Sequence, residues 1–429
     1  MLIYYFQGEE WKTLRKRFNP GFAPQHLMTL LPRIVAMSRR FVGNLDRHAK
    51  SGEAFRLDEP CINLTFDIIG AKVMDTDFGA QCAPHQQSEI FKLFRELVRS
   101  YPMAGGMSWE RVNLWGALQR RRITGRFEKY LRAHITQKFA DLRQAADAAP
   151  TEKGRSRSIL SLSLQDLATL DEDVISQTSD QLKSFLFAGY DTTSIVLQWT
   201  FYELSRTPRA LQAVRTELAA LFGADPSPTV VWDKLTAPGG ESLLNQMPYT
   251  SAVIKEVLRL HPPSGSARFT APGTGFTVQL PGGDSVNLDG MVVYNCETLI
   301  HRDEAVYGAT KDMFCPERWL DSPEKNRGIP ASAWRAFERG PRSCIGQELA
   351  TLEVRVILAC TVRRYEVTKV GLGEVVKNEK GQPVMGAQGQ FAVRKELFNT
   401  MQITAKPVDG TRVRVAFAAE GGAGSVGAV

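Results

Sequence analysis

The sequence predicts a mostly helical protein with a small β region, and three stretches carry that prediction. From Gln181 to Trp199 apolar residues recur at helical spacing, which reads as one long buried helix. From Gln347 to Leu358 a second apolar run follows a glycine-punctuated turn. Between them, the strand-like runs 275–280 and 285–290, joined by Pro281-Gly282-Gly283, read as a β-hairpin, with Met291-Val-Val-Tyr-Asn295 as a further strand.

Composition fits a catalytic body. At 429 residues, 43% hydrophobic and 23% charged, the chain can bury a large core. Breaks are expected at 144–154, a polar loop between helices, and at 223–240, which is rich in proline and glycine. The tail from Glu420 reads as disordered. The opening Met-Leu-Ile-Tyr-Tyr-Phe is too short to span a bilayer or to form the core of a signal peptide. Net charge is +7, from 53 basic against 46 acidic residues, with clusters at Lys12, Arg15, Lys16 and Arg17 and at Arg120-Arg121-Arg122 with Arg126. A nucleic-acid surface needs basic residues interleaved with exposed aromatics over a wider face, so that class is set aside. Six cysteines without a C-x-x-C pair indicate neither a disulfide framework nor zinc and fit a reducing compartment. Of the six scattered histidines, His261 and His301 read as structural.

One cysteine stands apart. Phe337-Glu-Arg-Gly340-Pro-Arg342-Ser-Cys344-Ile-Gly346 holds Cys344 just ahead of a helix, whose positive end favours a thiolate, and a thiolate is a metal ligand. Gly340 and Gly346 permit close backbone approach, Phe337 can cover the sulfur, and Arg342 can meet a carboxylate. The plain alternative is a buried structural thiol, which is the reading for Cys61, Cys82, Cys296, Cys315 and Cys360.

The spacing F-x-x-G-x-R-x-C-x-G resembles the haem-binding loop of the cytochrome P450 family. That resemblance implies haem b with Cys344 as the proximal ligand, whose sulfur pushes electron density toward iron and favours O–O cleavage. Further segments resemble the family in its own order. Ala188-Gly189-Tyr-Asp191-Thr192-Thr193 is similar to the A-G-x-D-T-T of the central helix, and glycine with paired threonines is weak helix material. The resemblance implies that the helix opens there beside the iron, with Thr192 hydrogen-bonding dioxygen and Asp191 relaying protons. A kinked helix with a satisfied threonine is the alternative. Glu256-Val-Leu-Arg259 and Pro316-Glu-Arg318-Trp319 resemble the motifs that form a buried Glu–Arg–Arg network behind the haem loop. Trp11-Lys-Thr-Leu-Arg15 and Arg268 match positions that meet haem propionates.

The same resemblance implies a fold over residues 1–417 with a disordered tail at 418–429. In full-length relatives a membrane anchor, an opening helix, two strands and the pocket roof precede the W-x-x-x-R motif, whereas ten residues precede Trp11 here. The expectation is therefore an N-terminally truncated P450 fold, lacking the first strands of the small sheet and the pocket-roof loop and leaving that sheet an unpaired edge. Electrons would come from NADPH through cytochrome P450 reductase, docked at Lys12, Lys16 and Arg17, with cytochrome b5 as a second donor. The pocket would be lined by Phe185, Ala188, Thr192, Ser264, Ser266 and the stretch from Phe398 to Met401. The implied activity is insertion of one oxygen atom into an apolar molecule, in fungal secondary metabolism, on the cytosolic face of the endoplasmic reticulum. The alternatives are an inactive truncated product, a haem-thiolate isomerase or dehydratase, and a reductase of small oxides.

Overall fold

The computed structural model describes residues 8–101, 114–147, 158–320, 328–400 and 404–419. Its helices are α1 (Gly8–Phe18), α2 (Pro24–Thr29), α3 (Leu31–Ser51), α4 (Asp58–Met74), α5 (Glu89–Ser100), α6 (Leu114–Asp147), α7 (Ile159–Leu164), α8 (Glu172–Arg206), α9 (Pro208–Phe222), α10 (Pro228–Thr236), α11 (Pro248–Leu260), α12 (Glu297–Ile300), α13 (Glu304–Tyr307) and α14 (Gln347–Thr361). The strands are β1 (Phe55–Arg56), β2 (Ser266–Phe269), β3 (Thr277–Gln279), β4 (Ser285–Asn287), β5 (Val292–Asn295), β6 (Tyr365–Lys369) and β7 (Arg412–Phe417). The molecule is thus mostly helical with a small β region.

Helix α8 is the spine. Asp171 caps it by accepting from the Val174 amide at 2.8 Å, and nearly every side chain from Thr178 to Leu204 is buried, as expected of a helix surrounded by others. It packs against α4, α6, α11 and α14. Helix α4 is also buried almost all round, and its Thr65 donates to the Tyr190 carbonyl of α8 at 2.8 Å. Gly189 explains the close crossing, because a Cβ there would sit 2.6 Å from Ile69 Cδ1 of α4. The glycine in the middle of α8 is therefore a packing requirement, and the helix runs unbroken through it, contrary to the expected opening.

One further expectation changes. The Pro- and Gly-rich stretch 223–240 contains helix α10, since Pro228 stands in the first turn, where a missing N–H is tolerated, and Val231 and Leu235 bury one face. The hairpin β3–β4 forms as expected with Val278 opposite Val286, and the expected further strand is β5, which pairs with β2. Ser266 faces Asn295 and Phe269 faces Val292, a pair with no third strand among the described residues. Strand β7 lies between β1 and β6. No helix among the described residues is long and apolar enough to cross a membrane.

Candidate functional site

Behind the loop that carries Cys344 lies a buried ionic network. Glu256 and Arg259, one helical turn apart on α11, form a bidentate pair at 2.9 and 2.8 Å. The same carboxylate accepts from Arg318 Nε at 3.0 Å, the Cys315 amide at 2.9 Å and the Trp319 indole at 2.8 Å. Arg259 also donates to the carbonyls of His301, Lys311 and Met313. A buried charge needs this degree of pairing, because removing it from water is expensive unless every lone pair and proton is met. His301 continues the network. Its Nδ1 lies 3.1 Å from the Arg259 carbonyl and its Nε2 receives the Arg335 N–H at 2.8 Å, so the ring is neutral with its proton on Nδ1. Burial pushes its pKa down to about 4.

The loop itself closes by a bond from the Cys344 amide to the Phe337 carbonyl at 2.8 Å, with Gly340 at φ +79°. The ring of Phe337 lies edge-on to Trp334 at 5.9 Å. Helix α1 covers one flank, where Arg15 donates to the Ser343 carbonyl at 3.0 Å and the Arg342 guanidinium stacks over Trp11 at 4.3 Å. Burial and the charge of Arg268 both push Arg342 down. The structure therefore gathers Trp11, Arg15, Phe337, Gly340, Arg342 and Gly346 at the Cys344 loop, while Arg268 is exposed on β2.

Cys344 is surface-accessible, although protein crowds it at longer range. Desolvation pushes the thiol up, while the Gly346 N–H and Arg15 pull the other way and lose. An exposed Cys344 on a loop flanked by Arg15 and by Arg342 stacked on Trp11 fits an iron porphyrin bearing carboxylates.

A second wall belongs to α8. Ala188 is exposed and Thr192, one turn on, is half-buried, in the middle of a helix otherwise covered. The Thr192 hydroxyl donates to the Ala188 carbonyl at 2.8 Å. Asp191 points elsewhere: it is buried and held by Lys406 Nζ at 2.5 Å and the Thr404 hydroxyl at 2.5 Å. Those partners lie near the Asn399–Pro407 bridge, whose Asn399 accepts from the Trp199 indole at 3.2 Å.

Several expected roles need correction. Phe185 is not open to a pocket but packs edge-on against Phe18 at 5.1 Å and Phe22 at 5.2 Å, in the core. Ser266 turns its hydroxyl onto Glu338, while Ser264 and Phe398 are exposed and Met401 lies outside the described residues. Arg17 is no docking residue, since it donates inward to the Ser163 carbonyl at 3.0 Å and Thr178 Oγ1 at 2.6 Å, and burial pushes it down to about 10. Lys12 and Lys16 are exposed. Of the cysteines taken as buried, Cys61 and Cys360 are, while Cys82, Cys296 and Cys315 are half-buried. Sequence reasoning missed Glu338, Asn295, Thr404 and Lys406; only Glu338 carried a signal, as a charged residue inside the loop motif.

A cysteine loop braced by a buried Glu–Arg–Arg network, together with a central helix exposed at Ala188, is the framework of a haem-thiolate protein. A model of the family described as cytochrome P450 matches residues 3–393. Cytochrome P450 monooxygenase acrF of Aspergillus aculeatus is 30% identical over 434 residues, covering 95% of this chain and 82% of that protein. Cytochrome P450 monooxygenase polC of Polytolypa hystricis is 30% identical over 373 residues, with 84% of this chain and 64% of its own length aligned. Cytochrome P450 4V2 of Homo sapiens is 27% identical over 407 residues, 90% of this chain and 70% of that protein. A crystal structure of a cytochrome P450, CYP102L1, superposes with a TM-score of 0.70 at 21% identity over 97% of this chain and 83% of that one, a likeness of fold. The chain belongs to the cytochrome P450 family and is an oxidoreductase of the monooxygenase class, and membership implies haem b and electrons derived from NADPH.

Proposed function

We propose that this chain inserts one oxygen atom into an apolar organic molecule, with Cys344 as the iron ligand and Trp11, Arg15, Arg268 and Arg342 meeting the porphyrin carboxylates. The observation that carries the reading is the exposed Cys344 on a loop flanked by Arg15 and by Arg342 stacked on Trp11. A cysteine-ligated haem supplies reductive activation of dioxygen, in which one oxygen atom enters the substrate and the other leaves as water with two protons and two electrons.

The chain's own residues orient and protonate. In its present rotamer Thr192 gives its proton to the Ala188 carbonyl, so its oxygen accepts from a neighbour; rotation makes it a donor. Asp191, charge-paired with Lys406, fixes the C-terminal segment that carries Lys406 against α8 and can pass a proton only by releasing that partner. Ala188, Ser264, Phe398 and Met401 are the proposed substrate contacts. Few polar groups among them favour a polyketide, terpenoid or aromatic skeleton, and the names of the acrF and polC monooxygenases support a fungal setting.

Lys12 and Lys16, exposed on α1 beside the Cys344 loop, are the proposed contacts for an acidic flavoprotein reductase, with cytochrome b5 as a second donor. For the cytosolic face of the endoplasmic reticulum, support comes from the exposed Tyr101, Trp115 and Leu118 next to Arg120-Arg121-Arg122. The test is Thr192→Ala. Its haem spectrum should match wild type while product formed per NADPH falls on the order of tenfold or more and peroxide rises. Full, coupled product formation would refute the role given to Thr192.

A further inference from the structure

Glu338, inside the Cys344 loop, stands at φ +56°, a left-handed conformation that a residue with a Cβ keeps only where its surroundings enforce it. Four donors enforce it here. Its Oε1 accepts from the Ser266 hydroxyl and from Asn295 Nδ2 at 2.8 Å; its Oε2 accepts from Arg335 Nε at 3.0 Å and Nη2 at 2.6 Å. The side chain is 9% exposed, and although burial works against the charge, these bonds hold the carboxyl down at about 2.

The two strand partners matter most. Ser266 and Asn295 lie opposite each other at the end of the β2–β5 pair, so a single carboxylate grips both strands. Residues 264–266 have little freedom of their own. A Cβ at Gly265 would strike the Tyr294 hydroxyl at 2.1 Å and Glu297 Oε2 at 2.9 Å. On the other side, Phe337, the residue before Glu338, receives the Cys344 amide. One hydrogen-bonded path therefore runs from the sulfur's own turn, through Glu338, to the segment that carries Ser264.

We propose that Glu338 is a positioning residue that latches the Cys344 loop to residues 264–266, so that the sulfur and one wall of the substrate recess keep a single relative geometry. The proposal rests on the haem reading above. Two simpler roles compete with it. Glu338 could serve only the turn, in which case glycine would serve better, since it adopts positive φ without penalty. Ser266 could act on the bound molecule directly.

The test uses holoprotein and 4-phenylimidazole, whose nitrogen binds ferric haem and shifts its Soret band. The carbon monoxide difference spectrum of each reduced variant is recorded first. Glu338→Gly relieves the backbone yet should weaken 4-phenylimidazole on the order of tenfold and shorten the lifetime of the thiolate-type band. Ser266→Ala should weaken binding about threefold in the wild-type background and add nothing to Glu338→Gly, as coupled residues do. Wild-type affinity in Glu338→Gly would overturn the latch in favour of the turn. An equal loss from Ser266→Ala in both backgrounds would overturn it in favour of direct contact. If Glu338→Gly does not retain haem, the same cycle on Glu338→Gln decides, because its amide sets N–H against donors yet keeps the shape. A wild-type protein that binds haem without a thiolate-type band would overturn the haem reading itself.

Discussion

Two regions that share the Cys344 loop are built by opposite means. Behind the loop, Glu256, Arg259, Arg318, His301 and Arg335 satisfy one another and the local backbone, buried and complete within the chain. By contrast, Cys344, Ala188, Ser264 and Arg268 are exposed. The first region explains why the loop keeps its shape. The second carries the side chains that the proposed haem and substrate would meet.

The comparison breaks most severely at Glu256. Glu256→Ala would strand two buried guanidiniums, and the expected loss is about 3–5 kcal/mol, read as a lower denaturation midpoint and lower haem content. Replacing Thr192, one turn from the exposed Ala188, should leave that midpoint near wild type, and an equal drop in both variants would erase the distinction between the regions.

Acid should also act on the region behind the loop. In the unfolded chain His301 takes its proton near 6.5, and in the folded protein only near 4, because burial penalises the charged ring and the charges of Arg259, Arg302 and Arg335 repel it. Between those values the unfolded state binds more protons. The His301 contribution is thus complete above about pH 6.5, falls as pH drops through the window and levels off below about 4, in all about 3 kcal/mol. Stability against pH for wild type and His301→Gln should differ in slope within that window alone. Parallel curves would remove His301 from the account.

The smallest effect is expected at the surface. Lys16→Glu should lower reductase-supported turnover severalfold at low ionic strength, and added salt should abolish the difference, with stability unchanged. Arg17→Glu should destabilise the fold instead, because that guanidinium ties α1 to Ser163 and Thr178. Salt-independent turnover in Lys16→Glu would exclude this docking face.

Much of this was legible in the sequence for local reasons. Glu256 and Arg259 announce themselves by their spacing and by the prolines that end α11, and the loop around Cys344 by its glycines. What was not legible depends on partners far along the chain. The hydroxyl of Ser266 finds Glu338 72 residues later, and Asp191 finds Lys406 215 residues later. Periodicity marked α8 as buried but could not say that Phe185 faces Phe18 while Ala188 is exposed. Strand β2 is four residues long and its two faces differ only in context, so no alternation betrayed it. Helix α10 was hidden by prolines that mark its start and not its absence.

The central claim is that Cys344 ligates haem iron in the exposed region. The most direct measurement is the carbon monoxide difference spectrum of the reduced protein, expressed with haem supplied, beside that of Cys344→Ser. The account predicts a thiolate-type Soret band in the wild type and its loss in the variant. The same band in both, or haem bound by the wild type without it, would contradict the claim.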